Sequence, residues 1–70
     1  MAGYVLNSSN VQSADYEPWT STLVIELHGG RVYEFYHVPA MVFRGLLDAS
    51  SHGRFFHENI RGRYPYRQIG

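Results

Sequence analysis

The chain contains no cysteine, so neither a disulfide nor a thiolate-held metal can brace its 70 residues. It contains no lysine either. Every positive side chain other than histidine is therefore an arginine, whose planar fork suits phosphate and carboxylate. No apolar run approaches the roughly 18 residues of a membrane span. The opening "MAGYVLNSSN" lacks the basic start and long apolar stretch of a secretory leader. Internal repeats, low-complexity tracts and linkers are missing too. These absences predict a single soluble, cytoplasmic domain over residues 1–70, with no membrane contact and no cofactor.

What the chain has in quantity is aromatic surface. A domain of this length buries only about 60% of the surface its unfolded chain exposes, and such a core rarely supplies more than roughly 3 to 5 kcal/mol. Four Phe, six Tyr and one Trp offset the shortage, since each ring can bury about 150 to 250 Å². Charge is balanced in total but not along the chain. In the first half Arg31 stands against Asp15, Glu17, Glu26 and Glu34; in the second, Arg44, Arg54, Arg61, Arg63 and Arg67 stand against Asp48 and Glu58. A basic half of this kind can mark a nucleic-acid surface, or it can pack against the acidic half and be neutralised.

"TLVIELHGGRVYEFYHV" carries the strongest structural signal, two β-rich runs around Gly29-Gly30 that predict a hairpin over about 22–37. A two-residue Gly-Gly loop would leave a glutamate amid apolar neighbours on each face. A three-residue loop, His28-Gly29-Gly30 with Gly30 left-handed, pairs Leu27 with Arg31, Ile25 with Tyr33 and Leu23 with Phe35. That register gathers Leu23, Ile25, Leu27, Tyr33 and Phe35 on one face and sends Glu26 and Glu34 to the other. A one-residue slip turns every side chain over, and burying a carboxylate costs more than choosing another turn. The three-residue loop is therefore the prediction.

Upstream, Val11 to Tyr16 reads as a weaker strand ended by "EPW". Val38 precedes proline and stays extended, and Pro39 suits the first position of a helix over about 39–50. Val42 stacks over Leu46 there, and Phe43 over Leu47. Ser50 or Ser51 can cap a second helix over about 52–61 that stops at Gly62. Phe56 and Ile60 share its inner face, with Arg54, His57, Glu58 and Arg61 on the outer arc. "RYPYRQI" reads as an extended segment at a sheet edge, where proline is tolerated. The fold class is α+β: a small antiparallel sheet of three to four strands with two short helices packed on one face.

The ordered set "LVIELHGGRVYEF", "YHVP", a helix ending in "LLDASSHGRFF", then "NIRGRYPYR" resembles the KTSC domain family over about residues 9–69. Its specificity lies in the succession of Gly30, Tyr33, Val38-Pro39, Ala49-Ser50, Gly53, Phe56, Ile60-Arg61 and Tyr64. The family's central Tyr-x-Tyr is Tyr33-Glu34-Phe35 here, and His57 stands where asparagine is common. The family is named for its occurrence at the C-terminus of some lysyl-tRNA synthetases and is found otherwise as small, mainly bacterial, free-standing proteins. The resemblance implies this fold and an accessory role, with RNA (tRNA or single-stranded) as the partner that the synthetase context suggests.

The residues themselves allow such a role. Arg54 and Arg61 share a helical face, Arg63 and Arg67 follow, and guanidinium forks bind phosphate oxygens bidentately. Tyr64 and Tyr66 can offer rings for base stacking. Arg31, on the acidic hairpin, is expected to stand apart from this surface. The same arginines and tyrosines would equally serve as a solvated helix face and a cover for the core edge. Tyr33 and Phe35 point with Leu23 and Ile25, which makes them core and not the outward platform of RNA-recognition sheets. His28, His37, His52 and His57 lack metal-site spacing. Asp48, Ser50, Ser51 and His52 lie too close together for a triad's geometry. No metal ligand and no catalytic residue is assigned. A second reading is a protein-interaction or homodimerisation module using an open sheet edge, extended by outward Val24, Val32 and Tyr36.

Overall fold

Leu27 and Arg31 close the central hairpin. In the computed structural model, which describes residues 3–6 and 8–70, the Leu27 N–H donates to the Arg31 carbonyl at 2.8 Å and the Gly30 N–H to the Leu27 carbonyl at 3.2 Å. Gly29 and Gly30 both take positive φ, +100° and +89°, conformations that side chains with a Cβ rarely adopt. Leu23 then faces Phe35 and Ile25 faces Tyr33, the register that the three-residue loop predicts.

The elements in chain order are β1 (Tyr4–Val5), β2 (Val11–Glu17), β3 (Thr22–Leu27), β4 (Val32–Phe35), α1 (Ala40–Asp48), α2 (His52–Asn59) and β5 (Tyr66–Gln68). All neighbouring strands pair antiparallel in sequential order, and both helices lie in the β4–β5 connection, covering one face. Among the described residues the sheet thus has five strands, where the sequence pattern predicts three or four. β5 is the extended segment after Pro65. β1 is a two-residue strand that pairs Tyr4 with Ala14 and Val5 with Ser13, too short to display any period of its own. It is held from the side by the Tyr4 ring, edge-on to Phe43 of α1 at 5.7 Å. Both sheet edges are consequently short strands, which limits the ladder another chain could extend.

The core joins Val11, Ala14, Leu23, Ile25 and Phe35 of the sheet to Val38, Leu46, Phe56 and Ile60 of the helical half, all buried. Phe35 meets Phe56 edge to face with centroids 5.7 Å apart. The Tyr16 hydroxyl donates to the Val38 carbonyl at 2.6 Å while its ring stacks on Phe43 at 5.2 Å, so β2 anchors the entry to α1.

The helices are each shorter than their patterns predict, for local reasons. Pro39 lies one residue outside α1: ψ of 148° keeps it extended, and its carbonyl accepts from the Val42 N–H at 2.9 Å. Ala49, with ψ of 141°, ends that helix, and the His52 ring N–H at Nδ1 donates to the Leu46 carbonyl at 2.8 Å. Of the two candidate caps Ser51 acts, its Oγ accepting from the Arg54 N–H at 3.2 Å. At the far end of α2 the Ile60 and Arg61 N–H groups both reach the Phe56 carbonyl, at 3.1 and 2.9 Å. That loosens the last turn before Gly62 reverses the chain with φ of +77°.

Phe35→Ala and Phe56→Ala each remove a buried ring and its aromatic partner, and each should cost about 3 to 5 kcal/mol, comparable with the whole stability of so small a domain. Urea titration should find both largely unfolded. Tyr16→Phe keeps the ring but strands the Val38 carbonyl, and should lower the midpoint by the equivalent of about 1 to 2 kcal/mol with an unchanged m-value. Parental midpoints for both Phe variants would contradict the packing.

Candidate nucleic-acid interface

Strand alternation sorts the charges onto two faces. Pairing across the sheet aligns Asp15, Val24, Glu34 and Arg67 in one row and Val5, Ser13, Glu26 and Val32 in the next, both on the face without helices. Glu17 joins them, two residues on from Asp15. Neighbouring hydroxyls hold three of these carboxylates: Thr20 Oγ1 donates to Glu17 at 2.7 Å, Ser13 Oγ to Glu26 at 3.2 Å and the Tyr36 OH to Glu34 at 2.8 Å. Four of the chain's six acidic residues thus share the open face with one arginine. On the helix side Arg31, Arg44, Arg54, Arg61 and Arg63 stand against Asp48 and Glu58. The molecule measures 28 × 25 × 24 Å, against a Debye length of about 8 to 10 Å, so a partner at one face senses little of the other. Zero net charge conceals two faces of opposite sign.

On the basic side a groove of about 200 Å³ opens between the β3–β4 turn, β5 and α2. Arg31 and Arg61 line it together with the rings of Tyr33, Tyr66 and His57, and Asn10 and His28 lie at the turn end. Each is placed by something local. Arg31 pairs with Leu27 and so shares the core-facing side of the hairpin, just beyond the end of the core. Arg61 follows the fully buried Ile60. Tyr66 pairs with Phe35, its ring 5.7 Å from Phe35 and 5.8 Å from Tyr33, yet it remains 60% exposed. His28 is held at both ends: its Nε2–H donates to the Ser8 carbonyl at 2.8 Å and its backbone N–H to the Asn10 carbonyl at 3.1 Å.

The arginines and tyrosines singled out in the sequence do not form one patch. Arg61 and Tyr66 meet at the groove. Arg63 and Tyr64 line a broader, more open depression of about 530 Å³ beside Met41, Gly45 and Phe55. There Gly45 allows the helices to close, since a Cβ would stand 2.8 Å from Phe55 Cζ. Arg54 donates from Nε to Glu58 Oε2 at 3.1 Å across an exposed turn of α2, which offsets part of its charge. Arg67 lies on the opposite face, 4.0 Å from Glu34. Consecutive strand residues point to opposite faces, so once Tyr66 packs on Phe35, Arg67 must face away.

Arg31 is the reverse correction. The acidic hairpin predicts that it stands apart, but it lines the same groove as Arg61. Its pairing with Leu27 was the available signal. Tyr33 faces inward as predicted, but only half-buried, with its ring contributing to the groove. Ser51 and His52 serve the helix ends. No group of three or more His, Asp or Glu among the described residues is arranged to hold a metal ion, and no described helix is long and apolar enough to cross a membrane.

The family model described as KTSC domain matches residues 7–64. A lysine-tRNA ligase of Nostoc sp. is 39% identical over 61 residues, which cover 87% of this chain and 11% of that protein. The chain therefore spans about a tenth of the length of the ligases it matches. An uncharacterized protein of Stutzerimonas stutzeri is 36% identical over 70 residues, 99% of each chain. A crystal structure of a KTSC domain protein from Yersinia pestis superposes with a TM-score of 0.92 at 31% identity, covering 99% of this chain and 97% of that one.

The shared open face of Glu34, Tyr36 and Arg67 is testable by titration. The hydrogen bond to Glu34 foremost, with the Glu34 charge, holds the Tyr36 hydroxyl above the usual tyrosine pKa, and Arg67 opposes them. Glu34→Gln should lower the titration midpoint of the Tyr36 ring resonance in NMR, and Arg67→Gln should raise it. No response to Arg67→Gln would place that guanidinium elsewhere.

Proposed function

The chain belongs to the KTSC domain family, and we propose that it is a non-catalytic accessory module that binds RNA weakly through its helix side. The observation that carries this reading is the convergence of Arg31 and Arg61 beside exposed aromatic rings. These two residues are thirty positions apart and come together only through the fold. Guanidinium forks suit phosphate, and rings suit bases. RNA is favoured over other polyanions because relatives of this segment occur in lysine-tRNA ligases, proteins whose names specify tRNA. Weak binding follows from the charge count: few arginines contribute and the molecule as a whole attracts nothing at long range. Attachment to a larger RNA-handling protein would compensate by raising the effective concentration.

With Arg54 partly offset by Glu58 and Arg67 on the far face, Arg31, Arg61 and Arg63 are assigned one phosphate each. Anisotropy titrations with labelled single-stranded RNA should then show log affinity falling with log salt at a slope near −2, about 20-fold between 50 and 200 mM. Arg31→Gln and Arg61→Gln should each flatten that slope by about 0.7, while Arg67→Gln leaves it unchanged. These side chains are exposed, so thermal midpoints should hardly move. No binding at low salt, or equal effects of Arg67→Gln and Arg61→Gln, would overturn the reading.

A further inference from the structure

Resting on that reading, we propose that the groove between the β3–β4 turn and α2 seats one unpaired nucleotide, its base against Tyr66 and its phosphate between Arg31 and Arg61. Size sets the first limit. At about 200 Å³ the groove is smaller than the roughly 300 Å³ at which sites for drug-sized molecules begin, so it suits a single base and not a base pair.

The walls set the second. Tyr66 is steadied edge-on by Tyr33 at 65° and flanked by Phe35 at 34°, yet it is 60% exposed. Its ring is thus supported from within the protein and open outward, as a stacking surface requires. The two guanidiniums reach the groove from separate elements, and no carboxylate is among its described lining residues, so an anion there meets attraction without a competing acid from them. At the turn end the Nε2–H of His28 is engaged by Ser8, which leaves its other ring nitrogen, and with it the Asn10 side-chain amide of the same groove lining, as polar groups that can meet a base edge. A base within a duplex has its faces stacked and its edge paired, and must be extruded before it can enter. The groove therefore selects loops, bulges and single strands.

The test compares one labelled mixed-sequence RNA strand with its blunt duplex in low salt, using the full chain. The single strand should bind more tightly by about tenfold or more, reflecting the cost of freeing a base. Tyr66→Leu, which keeps an apolar cover over Phe35, should weaken single-strand binding by about 5- to 100-fold, and Tyr66→Trp should restore it. Comparison on the parent chain alone stays decisive even if the leucine variant folds poorly. Equal affinity for strand and duplex, both sensitive to Arg61→Gln, would overturn the nucleotide seat and leave RNA binding in place. An unaltered single-strand affinity in Tyr66→Leu would also overturn the seat. Failure of both RNAs to bind would remove seat and RNA reading together.

Discussion

The pairing of Leu27 with Arg31 is the constraint on which the rest of the structure depends. Two consecutive glycines at positive φ permit it, and the cost of burying Glu26 or Glu34 enforces it. From this one register follow the buried row of Leu23, Ile25 and Phe35, the acidic outer face, and the position of Arg31 at the end of the inner face. The same row extends into β5, where Phe35 takes Tyr66 as its partner and so turns Arg67 toward the acids. A slip by one residue would exchange the two faces, dissolving the core and the groove at once.

A chain this short must use its rings twice. Phe35, Tyr33 and Tyr66 form a continuous aromatic run from 2% exposure at Phe35 through half-buried Tyr33 to Tyr66 at 60%. The inner end stabilises the fold and the outer end stands open beside Arg31 and Arg61. Under the proposed function, that outer end, beside two arginines, is the part that meets RNA. Three of the acids on the other side accept from hydroxyls and the fourth, Asp15, from the Tyr16 backbone N–H, and they keep that face from joining the basic one.

Long-period features were legible in the sequence: the hairpin and its register, the inward faces of both helices and the α+β class. Each rests on several residues acting together. The missed features rest on one or two. β1 is held by a single ring contact and two pairings. His37 sits at φ of 60° for tertiary reasons, next to Val38, whose N–H is bound to Ser21 at 2.9 Å. The candidate site was half legible. Arg61 and Tyr66 stood out by composition, but grouping arginines by nearness in sequence overlooked strand alternation, which separates Arg67 from Tyr66, and cross-strand pairing, which brings Arg31 in. A site assembled from a turn, a helix end and an edge strand has no local motif.

The central claim is that opposite faces of one sheet have opposite roles, with recognition confined to the helix side. Amide chemical-shift mapping during titration with single-stranded RNA at low salt tests it most directly. The account predicts shifts clustered at Arg31, His57, Arg61 and Tyr66, with Val24, Glu26 and Glu17 unmoved. Shifts centred on the open acidic face, with the groove residues silent, would contradict it.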